Sequence, residues 1–159
     1  MEETIKILAI DPGTTQSGFV VWNGKTILDY GKIDNAEILD YLVSKPYTVL
    51  VIEKIVSYGK SVGQSTFDTV FWSGRFFQVA VQADIKTELI IRREVRLYHC
   101  DNDTKAKDAN VIQALKDRFE PDLQPRKKPK GILKGITEDV WQALALAVFY
   151  YDKITQNYY

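Results

Sequence analysis

One cysteine, Cys100, and one histidine, His99, in 159 residues exclude several common chemistries at once. A lone thiol forms no internal disulfide, and the pair gives no basis for a structural zinc centre or a nucleophilic triad. An excess of charge is also missing: Lys and Arg total 21, as do Asp and Glu, so any case for nucleic acid must come from local clustering. No apolar run approaches the roughly 18 residues of a membrane span, and the start MEETIK is acidic rather than signal-like. What is there, 45% hydrophobic and 26% charged residues, suits a folded chain and excludes a disordered one. The expectation is a soluble, cytoplasmic domain with no membrane partner, one domain over 1–159.

Strand and helix signals follow in order along the chain. TIKILAID is an Ile-rich run of strand length, closed by the turn residues Asp11, Pro12 and Gly13. SGFVVW and KTILDYGKI flank Asn23-Gly24, a strong hairpin signal, so three antiparallel strands open the chain. Asn35 is expected to cap a helix with Ile38, Leu39, Leu42 and Val43 on one face, ended by Lys45-Pro46. TVLVIE lacks alternation and reads as a strand buried on both faces. Residues 61–83 read as one long helix, TELIIRREVRLYHC as one or two strands, and 104–119 as a helix with Ala106, Ala109, Val111, Ile112 and Leu115 inward. Residues 120–135 hold three prolines, two glycines and five basic residues, a basic loop. A closing helix starts at Thr137. The order βββαβαβαα predicts an α/β fold of ribonuclease H-like type, a mixed central sheet with flanking helices.

Three acidic residues fall at informative places. Asp11 ends the first strand, Glu53 ends TVLVIE, and Asp139 lies in the first turn of the last helix. Each alone has a plain structural role: turn residue, strand end, or favourable charge at a helix N-terminus. Sites in open α/β sheets form beyond the carboxyl ends of parallel strands. If the first strand and TVLVIE are parallel neighbours, Asp11 and Glu53 sit side by side and repel unless a cation joins them. Oxygen ligands of this kind suit Mg²⁺ or Mn²⁺. Two such ions, about 4 Å apart, would activate water and stabilise a leaving oxygen in phosphodiester cleavage.

Taken together, IDPGTTQSGFVVW, VIE at 51–53 and DVWQALALA at 139–147 resemble the RuvC-type Holliday junction resolvases, phage and prophage relatives above all. IEKIVSYGKSVGQSTFDTVFWSGRF and VRLYHCDNDTKAKDANVIQALKDRF extend the resemblance over nearly the whole chain. It implies a ribonuclease H-like domain with two divalent ions that nicks branched DNA symmetrically as a homodimer, in a bacterial or phage-infected cell. By position, Asp11, Glu53 and Asp139 match metal ligands. The chain departs at Gln142, where the family usually has an acidic residue. Gln142 through a water, Glu138, or Asp108 would then complete the set. An aromatic just after the glutamate serves such resolvases at the junction point, which selects Tyr58, with Lys60 in the same loop.

Nine basic residues against four acidic between 104 and 135 form the one local charge excess, here assigned to DNA phosphates: Lys105, Lys107, Arg126, Lys127, Lys128 and Lys130 among them. Lys107 is singled out as a catalytic phosphate contact. The aromatics Phe67, Phe71, Trp72 and Phe76 are assigned to the core or a dimer face. His99 is assigned a structural hydrogen bond. The pattern at 11–15 also resembles the phosphate loop of sugar kinases and actin-like ATPases, but those need two such domains. Two readings stand beside the DNA nuclease: a related nuclease for structured RNA, and a junction-binding protein with a weakened site, suggested by Gln142.

Overall fold

In the computed structural model, which describes residues 4–156, the opening apolar run forms β1 (Ile7–Asp11). Glu2 and Glu3, the acidic start of the sequence, lie outside the described residues. β2 (Gln16–Trp22) and β3 (Ile27–Asp34) follow as antiparallel neighbours. Between them Gly24 takes a φ of +92°, and Asn23 Oδ1 accepts the backbone N–H of Lys25 and Thr26 at 2.9 and 2.7 Å. That turn is the Asn-Gly signal realised. β4 (Val49–Lys54) runs parallel to β1, and β5 (Thr87–Ile91) parallel to β4, giving the order β3-β2-β1-β4-β5. This is the mixed sheet with flanking helices expected from the sequence.

Alternation along the strands divides the core in two. Leu8, Ile10, Phe19, Val21, Leu50 and Ile52 pack against α1 (Asn35–Ser44) and α2 (Gln64–Gln82). Ile7, Ala9, Val20, Trp22, Val49 and Val51 face α3 (Arg92–His99), α4 (Asp108–Phe119) and α5 (Asp139–Thr155). α5 is apolar on nearly every side because it is covered on every side: Ala143, Leu144, Ala145, Ala147 and Val148 are fully buried. Its one buried charge, Asp152, accepts from Arg118 of α4 at 2.6 and 3.1 Å and from the Tyr98 hydroxyl of α3 at 2.5 Å, so one carboxylate ties three helices together. Among the described residues no helix is long and apolar enough to cross a membrane.

Several local expectations change. Asn35 is the first residue of α1 rather than its cap; its buried side chain accepts from Ser17 Oγ at 2.6 Å and donates to the Gly13 carbonyl at 3.0 Å, pinning the loop after β1. Val43 of α1 and Ala109 of α4 are exposed. On α2 the buried residues are Ser73, Phe76 and Ala80, whereas Phe67, Val70, Phe71 and Val81 face outward. RREVRLYH is helix α3, because Val95 and His99 are spaced to meet α5 on one helical face. α4 begins at Asp108, so Lys105 and Lys107 precede it.

Two expectations for stability follow. An added Cβ at Gly18 would meet the backbone of Asp139 at 2.9 Å, so Gly18→Ala should cost about 1–3 kcal/mol in denaturant unfolding. His99 Nε2 donates to the Ala145 carbonyl at 2.8 Å, and burial holds its pKa below the ordinary value, with Arg118 and Asp152 also facing it. The folded state therefore binds fewer protons than the unfolded chain, and stability present above pH 6.5 is lost as pH falls through that value. His99→Gln should flatten the decline in melting temperature between pH 7 and pH 5.

Candidate active site

Ile7-Ala9-Asp11 and Val49-Val51-Glu53 are parallel rows on the sheet face that α5 covers, each apolar until its last member. Pairing of Ile10 with Ile52 in the last registered step places Asp11 and Glu53 abreast at the carboxyl edge of two parallel strands. Across the same edge Asp11 pairs with Gly18 of β2, and Gly18 with Lys32 of β3. Gly18 is the flat spot in this row. The backbone of Asp139 lies over it, which brings the N-terminus of α5 to the carboxylates. Glu138, just before, takes a φ of +44°, backbone strain at the residue that aims Asp139.

Asp11 and Glu53 are both buried, each 7% exposed, and the third participant is a residue the sequence reading missed. Arg92, at the start of α3 and one step past β5, places Nε 2.6 Å from Glu53 Oε1 and its terminal nitrogen 2.9 Å from Oε2. The same nitrogen reaches Asp11 Oδ1 at 3.1 Å. Asp108 stands on its other side at 3.5 Å, shared with Arg96 at 3.2 Å. The signal was present: Arg92 follows a parallel strand at the same edge, but that strand's end is hidden in a run read as continuing β structure.

The electrostatics show what one guanidinium leaves undone. Asp11 is pushed up to about 9, first by burial and then by the hydrogen bond and charge of Glu53, while Arg92 pulls the other way. Arg92 itself stays above its ordinary value although burial opposes it, because Glu53 and Asp11 surround it. Asp139 is engaged elsewhere, 2.8 Å from Lys32 Nζ, with Glu138 at 3.6 Å from the same ammonium. That ion pair raises the Lys32 pKa through its hydrogen bond to Asp139.

Clefts on either side of the dyad give access to it. One of about 360 Å³ is lined by Asp11, Glu53, Tyr58, Arg92, Arg96 and Thr104. A second, about 350 Å³, joins Asp11 and Asp139. A cavity of about 10 Å³, at the lower limit for one water, places Gln142 against Asp11, Glu53 and Arg92. The structure thus brings Asp11, Glu53, Gln142 and Tyr58 together, with Asp139 and Asp108 at the margins. Glu138 is exposed beside Lys32.

The basic residues fall differently from expectation. Lys107 is exposed at the N-cap of α4, its N–H donating to Asn110 Oδ1 at 2.8 Å, and Lys60 and Lys105 are exposed in loops. Lys127 and Lys130 line a separate groove with Phe119–Gln124, and no residue of 126–134 lines the clefts just described. Arg126 and Lys128 are exposed in the same loop. Instead, Arg93, Arg96 and Lys54 stand at the carboxylate cleft. The loop is anchored by Glu120, whose carboxylate accepts the N–H groups of Lys130 and Gly131 at 2.9 Å and of Leu133 at 3.1 Å. Burial, the largest single effect, pushes Glu120 up, but those three bonds together outweigh it and hold Glu120 below its ordinary pKa.

Among the described residues, no group of three or more His, Cys, Asp and Glu side chains stands together as a ready cage for a metal. The reasons are physical: Lys32 draws Asp139 aside, and Arg92 fills the space between the other two. The donors nevertheless fit a hard divalent cation. They are paired carboxylate oxygens whose negative charge one guanidinium leaves only partly compensated.

No protein-family model matches the sequence, and comparison with curated proteins gives no match. Solved structures do match. Thermus thermophilus RuvC in complex with a Holliday junction substrate superposes with a TM-score of 0.69 at 16% identity, over 96% of each chain. A second Thermus thermophilus RuvC structure gives 0.68 at 15%, over 96% of this chain and 97% of that one. The fold is therefore RuvC-like, of the ribonuclease H-like type.

With Glu120→Ala the loop loses its anchor, so trypsin should cut within 126–134 severalfold faster than in the wild type. The global melting temperature should move little.

Proposed function

We propose that this protein is a metal-dependent endonuclease that nicks four-way and related branched DNA by phosphodiester hydrolysis, as a homodimer. The observation that carries the reading is the buried Asp11–Glu53 pair at the carboxyl edge of a sheet whose fold is RuvC-like along nearly the whole chain. On the sequence resemblance we place it with phage and prophage relatives, as one nuclease domain acting in the cytoplasm of a bacterial or infected cell.

Asp11 and Glu53 would hold Mg²⁺ or Mn²⁺, with Asp139 joining once released from Lys32 and Gln142 contributing through a water. Asp108 and Glu138 have their own basic partners and are the weaker candidates for a further ligand. Bound there, one or two ions would supply an activated water and charge stabilisation for the leaving oxygen. The chain's own residues do the rest. Arg93 and Arg96 face the cleft where the scissile phosphate would lie, a position better suited to charge stabilisation than that of Lys107. Lys107, Lys105 and Lys60 would take phosphates farther out, as would Arg126, Lys127, Lys128 and Lys130 on their loop. Tyr58, 65% exposed at the cleft mouth, is free to stack on an unpaired base.

The outward face of α2 fits the second copy. Phe67 and Phe71 are 58% and 63% exposed, Val70 and, farther along the helix, Val81 are exposed as well, and Gly74 has nothing within 4 Å of an added Cβ. Such a face is where a two-fold partner would bury apolar area.

Two observations favour a second reading, a protein that binds junctions without cutting them: Arg92 already fills the dyad and Gln142 brings no charge. A synthetic four-way junction and a linear duplex, each with Mg²⁺ or Mn²⁺, separate the two. We expect paired symmetric nicks in the junction, reduced roughly a hundredfold or more by Asp11→Asn with junction binding retained. Binding without nicks in either metal would leave the junction-binding module.

A further inference from the structure

We propose that Arg92 is a built-in competitor for the divalent cation: its guanidinium holds the position between Asp11 and Glu53 in the metal-free protein, and an ion enters only as Arg92 leaves. This rests on the metal-dependent reading above. The guanidinium takes both oxygens of Glu53 and one of Asp11, at 2.6, 2.9 and 3.1 Å. These are the atoms a hard cation would coordinate, and two cations sharing them would repel at close range. Mutual exclusion follows from the contact list itself.

The exit is also in place. Arg92 begins α3 at the rim of the sheet, and its side chain is 36% exposed. It borders the cleft of about 360 Å³ that Arg96 and Thr104 also line. Asp108, already 3.5 Å from it on the far side, offers a partner that does not belong to the dyad. Lys32 acts in parallel on Asp139. In the free protein, then, each carboxylate is held by a basic side chain of the same chain.

The opposing account makes Arg92 a fixed counter-ion that stays when metal binds. It predicts lower stability on removal of the guanidinium but no gain in metal affinity. Calorimetric titration with Mn²⁺ and melting in EDTA or in Mn²⁺ distinguish the two, using wild type, Arg92→Gln, Arg92→Lys and Asp11→Asn. We expect Arg92→Gln to melt lower than wild type in EDTA and to show the larger rise with Mn²⁺. It should bind Mn²⁺ roughly tenfold to a hundredfold more tightly, the range that charge-assisted hydrogen bonds of this kind represent. Arg92→Lys, which keeps the charge without the fork, should fall between.

Mn²⁺ binding that Asp11→Asn abolishes, but that is no tighter in Arg92→Gln than in wild type, overturns the competition and leaves the metal site standing. Absence of any Asp11-dependent binding in all variants overturns both. Should Arg92→Gln fail to fold, wild type decides alone. During a Mg²⁺ titration followed by NMR, the Arg92 Nε–H resonance, bonded to Glu53, must shift in step with binding. A resonance unmoved by saturating metal overturns the proposal.

Discussion

Two carboxylates buried at adjacent strand ends cannot both carry charge without a cation between them, and the architecture around Asp11 and Glu53 answers to that requirement. Parallel pairing of β1 with β4 forces the two abreast, and burial removes the water that would screen them. The compensating charge comes from the next strand in the sheet, whose end delivers Arg92. On the opposite flank the row continues through Gly18 to Lys32, which neutralises Asp139. The sheet edge therefore reads, strand by strand from β3 to β5, as base, glycine, acid, acid and base, with the glycine where a helix must come down onto it.

The ion pairs of this edge are all made within the chain, although Arg92 compensates Asp11 and Glu53 only in part. Arg92, Arg96 and Asp108 form a chain of ion pairs leading outward from the dyad, and Asp108 is also the first residue of α4. Whatever displaces Arg92 acts on the junction of α3 and α4, the same pair that Asp152 cross-links through Tyr98 and Arg118. The ion pairs at the dyad and the Asp152 cross-link thus hold the same two helices through different side chains.

Legibility in the sequence followed the range of the interaction. Turn chemistry and strand runs are local, so Asp11, Asn23-Gly24 and Glu53 stood out and the lack of alternation in TVLVIE marked a buried strand, whereas its parallel pairing with the first strand is non-local and entered only as a condition. Helix α3 did not, since RREVRLYH has only Val95 deeply buried and its character depends on docking against α5. Arg92 was lost with it. The direction of α2 was hidden for a different reason: aromatics lie on both its faces, and periodicity alone does not say which face the sheet takes. Asn35 looked like a cap because asparagine commonly is one; its buried bonds to Ser17 and Gly13 need residues 18 and 22 positions away. The basic loop was visible as composition, whereas its separation from the carboxylates was a matter of tertiary placement.

Glu120 fixes more than the stability of that loop. By clasping the backbone at 130–133 it closes residues 121–129 into a ring whose two ends meet at the foot of α4. Nine residues have a contour of roughly 30 Å, and a chain that must return to its origin extends only about half as far, so the tip is leashed to roughly 15 Å from the clasp. Pro121, Pro125 and Pro129 stiffen the leash further. The cationic residues 126–128 are therefore confined to a fixed radius about the clasp, while Lys130 sits on the clasp itself.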